Sequence, residues 1–236
     1  MSSVERPRNR LLQALPPAEF EVLRPHLEFV ELGREAALAE AGAALTHVYL
    51  PSSGVISLVV NLSEGQTVEV AMVGRDGVFG AAAALDSGIS LTDAIVLLPG
   101  RVCIFEVAKF RAAVDRSVVF RNLLMRYEQA LLVQAQQSAA CNASHSVEAR
   151  LSRWLLRVRD LCDSEALPLT QELLAQMIGV QRNAVSIVAH ALQQAGIIRY
   201  SRGYIEIKDL QGLRETSCEC YATVAAQSER LLNRRA

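Results

Sequence analysis

The stretch "LAQMIGVQRNAVSIVAHAL", Leu174 to Leu192, carries two helical apolar patterns broken by a single glycine. A chain building one long helix has no reason to put glycine there, because it weakens a helix interior by about 1 kcal/mol relative to alanine. A chain that must hold two helices at a steep angle needs such a residue, since the tight turn between them asks for positive φ. With Gln171 as the first helical position, Ala175 is the fifth, Gly179 the ninth and Val185 the fifteenth. The fifth must be small because the second helix crosses over it, and the fifteenth must be apolar to lock the pair. Leu174, Ile178, Val180 and Val188 fill the remaining buried positions. Thr170 is placed as N-cap, its hydroxyl able to accept a backbone N–H. The spacing predicts a helix-turn-helix.

At roughly 100° per residue, Val185, Val188, Ala189 and Leu192 share the inner side of the second helix. Asn183, Ile187, His190 and Gln194 lie on the outer side, with Gln181, Arg182 and Ser186 near its start. Arginine suits guanine, asparagine or glutamine suits adenine, serine suits either, and an outward isoleucine suits a thymine methyl. "GIIRYSRGYIEI" then ends the helix at Gly196 and continues as strand Ile197–Tyr200, a turn at Ser201, Arg202 and Gly203, and strand Tyr204–Ile207. A hairpin directly after a helix-turn-helix makes a winged helix, and Arg199 and Arg202 at its tip suit phosphate contacts that position without specifying.

Upstream the texture differs. Residues 11–27 read as short helices split by Pro16, Pro17 and Pro25. From about Phe29, glycine-punctuated runs such as "HVYL", "GVISLVVNL", "QTVEVAMV", "TDAIVLL" and "RVCIFEV" predict many short strands, as in a sandwich, jelly roll or barrel. From about Ala108 the glycines stop. Phe120, Leu124, Tyr127 and Leu131 form a heptad seam that continues through Gln134, Ser138 and Cys141. This long helix either covers one face of the β region or meets its own copy, and Leu132 and Val133 leave apolar surface beyond a single seam. A further helix places Val147, Leu151, Trp154, Leu155 and Val158 on one face before Pro168 closes the connection.

The 236 residues are 51% hydrophobic with a formal net charge of −1, enough for sizeable cores and inconsistent with wholesale disorder. Residues 1–145 carry a small acidic excess and residues 146–236 a small basic one. No run approaches the roughly 18 apolar residues of a membrane span, and no secretory leader is visible, so a soluble cytoplasmic protein without membrane partners is expected. Five scattered cysteines, an odd number, suit reduced thiols. No catalytic residue, metal site or cofactor is expected. A metal-dependent jelly-roll enzyme would need clustered ligands, and only His47 lies among the strands. "GRDGVFG" lacks the Lys-Ser/Thr of a phosphate-binding loop, so its glycines are read as turns. Cys218 and Cys220 would face the same way on a strand but lie about 200° apart on a helix, which leaves a redox role as an alternative.

In this order the parts resemble the Crp/Fnr family of bacterial transcription regulators. The resemblance is most specific in "LPLTQELLAQMIGVQRNAVSIVAHALQQAGIIRYSRGYIEI", and clear in "NRLLQALPPAEFEVLRPHLE" and "GRDGVFG". It implies an α+β chain: a β-roll of the cyclic-nucleotide-binding type with N-terminal helices over residues 1–116, a dimerisation helix and hinge over 117–145, and a winged-helix DNA-binding domain over 146–236. It also implies a homodimer on a roughly palindromic double-stranded DNA site, the recognition helices about one DNA turn apart, and contact with RNA polymerase if the protein is an activator. Phe120, Leu124, Tyr127 and Leu131 are then the dimer seam. Arg182 matches a base-reading arginine and Thr170 a phosphate-contacting position.

The match is uneven. A glutamate common in the family is Asn183 here, and a further common arginine is Ile187, so the usual half-site is not expected. Gly77, Phe79, Gly80, Ala81, Ser90 and Leu91 mark the expected effector pocket. Ala81 stands where nucleotide-binding members carry the ribose-binding glutamate, and Ser90–Leu91 supplies no arginine for a phosphate. Cyclic AMP is therefore not the expected effector, and the effector stays unassigned. Iron–sulfur members use an N-terminal cysteine cluster, whereas the first cysteine here is Cys103. The rival to a DNA-binding regulator is a scaffolding homodimer whose winged helix binds protein.

Overall fold

The computed structural model describes residues 6–162, 164–201 and 203–232. Its contacts divide the chain into two units. The first comprises the described residues up to Leu58, then Met72–Leu132, and the chain end from Gln227; the second comprises Val59–Ala71 and Val133–Ala226.

The first unit opens with α1 (Arg10–Ala14) and α2 (Pro17–Leu23), followed by a 3-10 turn at Arg24–His26. Asn9 explains why the chain starts folding where it does. Its side-chain oxygen accepts from the backbone N–H groups of Leu11 and Leu12, and its amide donates to the carbonyls of Pro51 at 3.0 Å and Gly77 at 2.7 Å. This buried asparagine thereby has partners at both ends of its amide, which is what makes its burial tolerable. Pro17 starts α2, where its missing N–H costs nothing.

The strands are β1 (Glu28–Leu32), β2 (Ala37–Ala39), β3 (His47–Pro51), β4 (Val55–Asn61), β5 (Thr67–Val73), β6 (Asp93–Leu98) and β7 (Gly100–Glu106). One sheet runs β1-β7-β3 and another β2-β6-β4-β5. In the first, β7 is antiparallel to both neighbours, with Cys103 opposite Phe29 on one side and Leu50 on the other. All five quoted β runs are strands. The short β1 and β2 lacked a clear alternation and were not individually predicted.

Helix α3 (Ala81–Leu85) lies between β5 and β6, and α4 (Val107–Arg116) leads into α5 (Val118–Ser144). The core joins Leu11, Leu12 and Phe20 to Leu50, Phe105, Phe110, Phe120 and Leu124. Phe110 meets Phe105 and Phe120 edge-on, with centroids 5.6 and 5.5 Å apart, the geometry that sets a positive ring edge on a negative face.

Helix α5 changes the expectation for the heptad seam. Phe120, Leu124 and Tyr127 are buried and Leu131 partly so, all four within the core of their own unit. Gln134, Ser138 and Cys141, which continue that seam, are buried as well. The outward apolar residues are others: Val118 is 65% exposed, Met125 61% and Leu132 59%, at strict seven-residue intervals. Sequence spacing shows that a helix has an apolar stripe but not which of two stripes packs at home.

The second unit holds α6 (Val147–Cys162), β8 (Ala166–Leu167), α7 (Gln171–Ile178), α8 (Arg182–Gln194), β9 (Ile198–Ser201), β10 (Tyr204–Ile207), α9 (Leu210–Thr216) and the start of α10 (Cys220–Leu232). The wing sheet is ordered β8-β10-β9, so a third strand, two residues long and just before Pro168, joins the predicted hairpin. Val147 aside, which starts α6, the predicted apolar face of that helix is fully buried. Trp154 adds a polar contact: its indole N–H donates to buried Glu69 of the β4–β5 hairpin at 2.8 Å, within this unit. Three of the five cysteines come together in space. Cys141, Cys218 and Cys220 meet in a small buried cluster, because the turn before α10 folds back onto α5.

Candidate nucleic-acid interface

The interface is built by two helices and a turn. Thr170 caps α7 by accepting the backbone N–H of Leu173 at 3.2 Å. Ala175 is buried at the helix crossing, and Gly179 takes φ of 64°. Glycine suits that φ, and an added Cβ would also sit tightly against both methyls of Val68 at 3.3 Å. Val185, Ala189 and Leu192 of α8 are buried and Val188 is half-buried. The guanidinium of Arg150 reaches across from α6 and donates to the Ile178 carbonyl, satisfying an orphan acceptor at the end of α7.

With that face buried, the opposite one is presented to solvent. Gln181, Arg182, Asn183 and His190 are exposed, and Ile187 is 69% exposed although apolar. Arg182 lies 3.7 Å from Glu172 in a well-solvated pair, which water screens and DNA can displace. Ser186 is only partly available: its hydroxyl donates to the Gln171 side chain at 2.6 Å, tying α8 to α7. Sequence reading missed Gln171, whose signal is its place directly after the cap. On the wing, Arg199 is exposed, and Gly203 lies beside Thr170. Arg202 lies outside the described residues. Tyr204, 58% exposed at the wing, was not anticipated.

In the first unit a cavity of about 300 Å³ lies between α3, the segment Asp86–Thr92 and α5. Phe79, Gly80, Ser90 and Leu91 line it, as expected. Ala81 and Gly77 do not: Ala81 is fully buried in the core, and Gly77 lies under the ring of Tyr127. The Ser90 hydroxyl is engaged locally, donating to the Thr92 carbonyl at 2.7 Å. The charged groups among the described lining residues are Asp86 and Glu128; the Arg111 guanidinium, outside the lining, donates to the Asp86 carbonyl at 2.9 Å. Burial pushes the Glu128 carboxyl up to about 6, partly opposed by the backbone N–H of Ala82, which it accepts. Residue 128 escaped the sequence reading because it belongs to α5, some forty positions from the loop it faces.

Two family models match the chain: a cyclic nucleotide-binding domain over residues 29–117 and a Crp-like helix-turn-helix domain over residues 149–216. The chain belongs to the Crp/Fnr family.

Solved structures agree with the fold. A putative Crp/Fnr regulator from Eubacterium rectale is 16% identical, with 89% of this chain and 98% of that one covered at a TM-score of 0.68. FixK2 from Bradyrhizobium japonicum is 18% identical, covering 81% and 98% at 0.69. The c-di-GMP responsive regulator CLP from Xanthomonas campestris is 14% identical, covering 81% and 99% at 0.65. No curated protein matches the sequence. This Crp/Fnr chain thus has the fold of a DNA-binding transcriptional regulator, and no helix among its described residues is long and apolar enough to cross a membrane.

Proposed function

We propose that the protein is a homodimeric, sequence-specific regulator of transcription in the cytoplasm, binding a roughly palindromic DNA site without cyclic AMP. One observation carries the reading: the solvent face of α8 gathers Gln181, Arg182, Asn183, Ile187 and His190, with Thr170 and Arg199 beside it. Hydrogen-bonding groups and one apolar contact on an exposed helix of helix-turn-helix geometry suit the major groove. Arg182 reads a base, Asn183 and Ile187 set the preferred sequence, and Thr170, Arg199 and Arg202 hold phosphates. An activator of this kind also touches RNA polymerase.

The dimer forms along α5 through Val118, Met125 and Leu132, with Ala139 continuing the same seven-residue repeat. Two copies packed on this stripe make a coiled coil while Phe120, Leu124 and Tyr127 stay in their own cores. The effector cavity is acidic and apolar, which suits a neutral or cationic ligand and repels a phosphate.

Selection from a randomised DNA pool by the purified, ligand-free dimer tests the proposal. An enriched two-fold motif with half-sites about 10 base pairs apart is expected. Binding that is weak on all sequences and insensitive to salt would instead support the protein-binding scaffold.

A further inference from the structure

Cys141 lies in the last turn of α5, and His145 follows directly after the helix, its backbone N–H donating to the Cys141 carbonyl at 3.0 Å. The turn between α9 and α10 brings Cys218 and Cys220 to the same place. One ligand atom from each of the four, three sulfurs and an imidazole nitrogen, lies within 4.8 Å of every other. The Cys141 and Cys218 sulfurs are 3.5 Å apart, and the Cys220 sulfur is 3.6 Å from His145 Nδ1. A tetrahedral zinc ion, with bonds of about 2.3 Å to sulfur and about 2.0 Å to nitrogen, spaces neighbouring ligands roughly 3.5–3.8 Å apart. Both edges fall at that spacing.

The surroundings are those of a ligand set, not of a merely apolar thiol cluster. His145 Nε2 lies 3.3 Å from the Glu219 carboxylate, which orients the ring and leaves Nδ1 facing the sulfurs. That carboxylate–imidazole relay recurs behind metal-bound histidines. Gln137 donates its amide N–H to the Cys220 sulfur at 3.1 Å. Arg153 places positive charge near Cys141. Burial raises the Cys141 and Cys218 thiols above the ordinary range, because a thiolate there would sit away from water. A divalent ion replaces the thiol protons, which leave to water.

We propose that Cys141, His145, Cys218 and Cys220 form a mononuclear, tetrahedral site for a divalent transition metal of zinc-like preference. The site staples the C-terminal end of α5 to the turn that opens α10. Arg150 of α6, the helix that follows α5 in the chain, donates to the last carbonyl of α7. The assignment does not depend on DNA binding, and its test does not use DNA.

The test is anaerobic titration of the reduced, chelator-stripped full-length protein with cobalt(II), read by absorption. One equivalent is expected to give the intense d–d bands of tetrahedral cobalt with a thiolate charge-transfer band, both bleached by zinc. Glu219→Gln should weaken binding about 10- to 100-fold, Cys218→Ser and His145→Gln more than that, and Cys162→Ser not at all. An octahedral spectrum or no binding by the unmutated protein overturns the proposal, whether or not any variant folds. So does tetrahedral binding that survives Cys218→Ser, or anaerobic isolation of the protein with iron and inorganic sulfide.

Discussion

Tyr127 lies across Gly77 so closely that the glycine hydrogen occupies the only space beneath the phenol ring. A Cβ at residue 77 would overlap the ring, and the ring is itself part of the buried core. Gly77→Ala should therefore destabilise the first unit by about 1–3 kcal/mol, the usual penalty for overpacking. Urea denaturation measures it. A loss below about 0.5 kcal/mol would show that the ring moves freely and that the contact is loose.

The two faces of α5 should separate in mutagenesis. Met125→Glu with Leu132→Glu is expected to yield a folded monomer by sedimentation. Leu124→Ala should cost about 2–5 kcal/mol of stability while leaving the association state unchanged. Dissociation by Leu124→Ala and none by the double glutamate variant would return the interface to the opposite face.

Arg182→Ala should cost about 1–3 kcal/mol on the selected site and little on scrambled DNA. Equal losses on both would reduce Arg182 to a phosphate contact. Arg199→Ala should weaken all sequences alike and lower the steepness of the salt dependence.

Cyclic AMP should not bind. A phosphate entering the first-unit cavity would meet Asp86 and Glu128 with no arginine or lysine on the lining. Isothermal calorimetry is expected to show no heat at micromolar ligand. A saturable micromolar isotherm would mean that the cavity rearranges on binding.

Glu128 should make stability depend on pH. Its carboxyl holds a proton up to about 6, against 4.5 ordinarily, because burial disfavours the charge. The folded state thus binds that proton more tightly than the unfolded chain. Its stabilising effect is complete below about pH 4.5 and is lost as pH rises through about 6, roughly 2 kcal/mol in all. Glu128→Gln should accordingly be more stable than the parent at about pH 7 and no different at about pH 4. An equal difference at both would place its origin outside this ionisation.

How much of this could be read beforehand follows from which interactions are local. Gly179, Ala175 and Thr170 announce the helix-turn-helix because turn conformation, helix crossing and capping act within a few residues. The β runs were legible for the same reason. The choice between the two stripes of α5 was not, since it depends on a β-roll that no heptad count contains. The meeting of Cys141 and His145 with Cys218 and Cys220 was not either, because it depends on how α9 and α10 return to α5. Glu128 entered the cavity unseen, and Ser186 proved half committed to Gln171, both through contacts that join separate elements.

Trp154 is the single tryptophan of the chain, buried with its indole N–H on Glu69. All intrinsic tryptophan emission therefore originates at one place, where the β4–β5 hairpin touches α6. Undocking of that hairpin would let water reach the indole and shift its emission to the red, while events elsewhere leave the colour unchanged. The protein carries a built-in optical gauge of this one contact, readable without labels as ligands, metals or DNA are added.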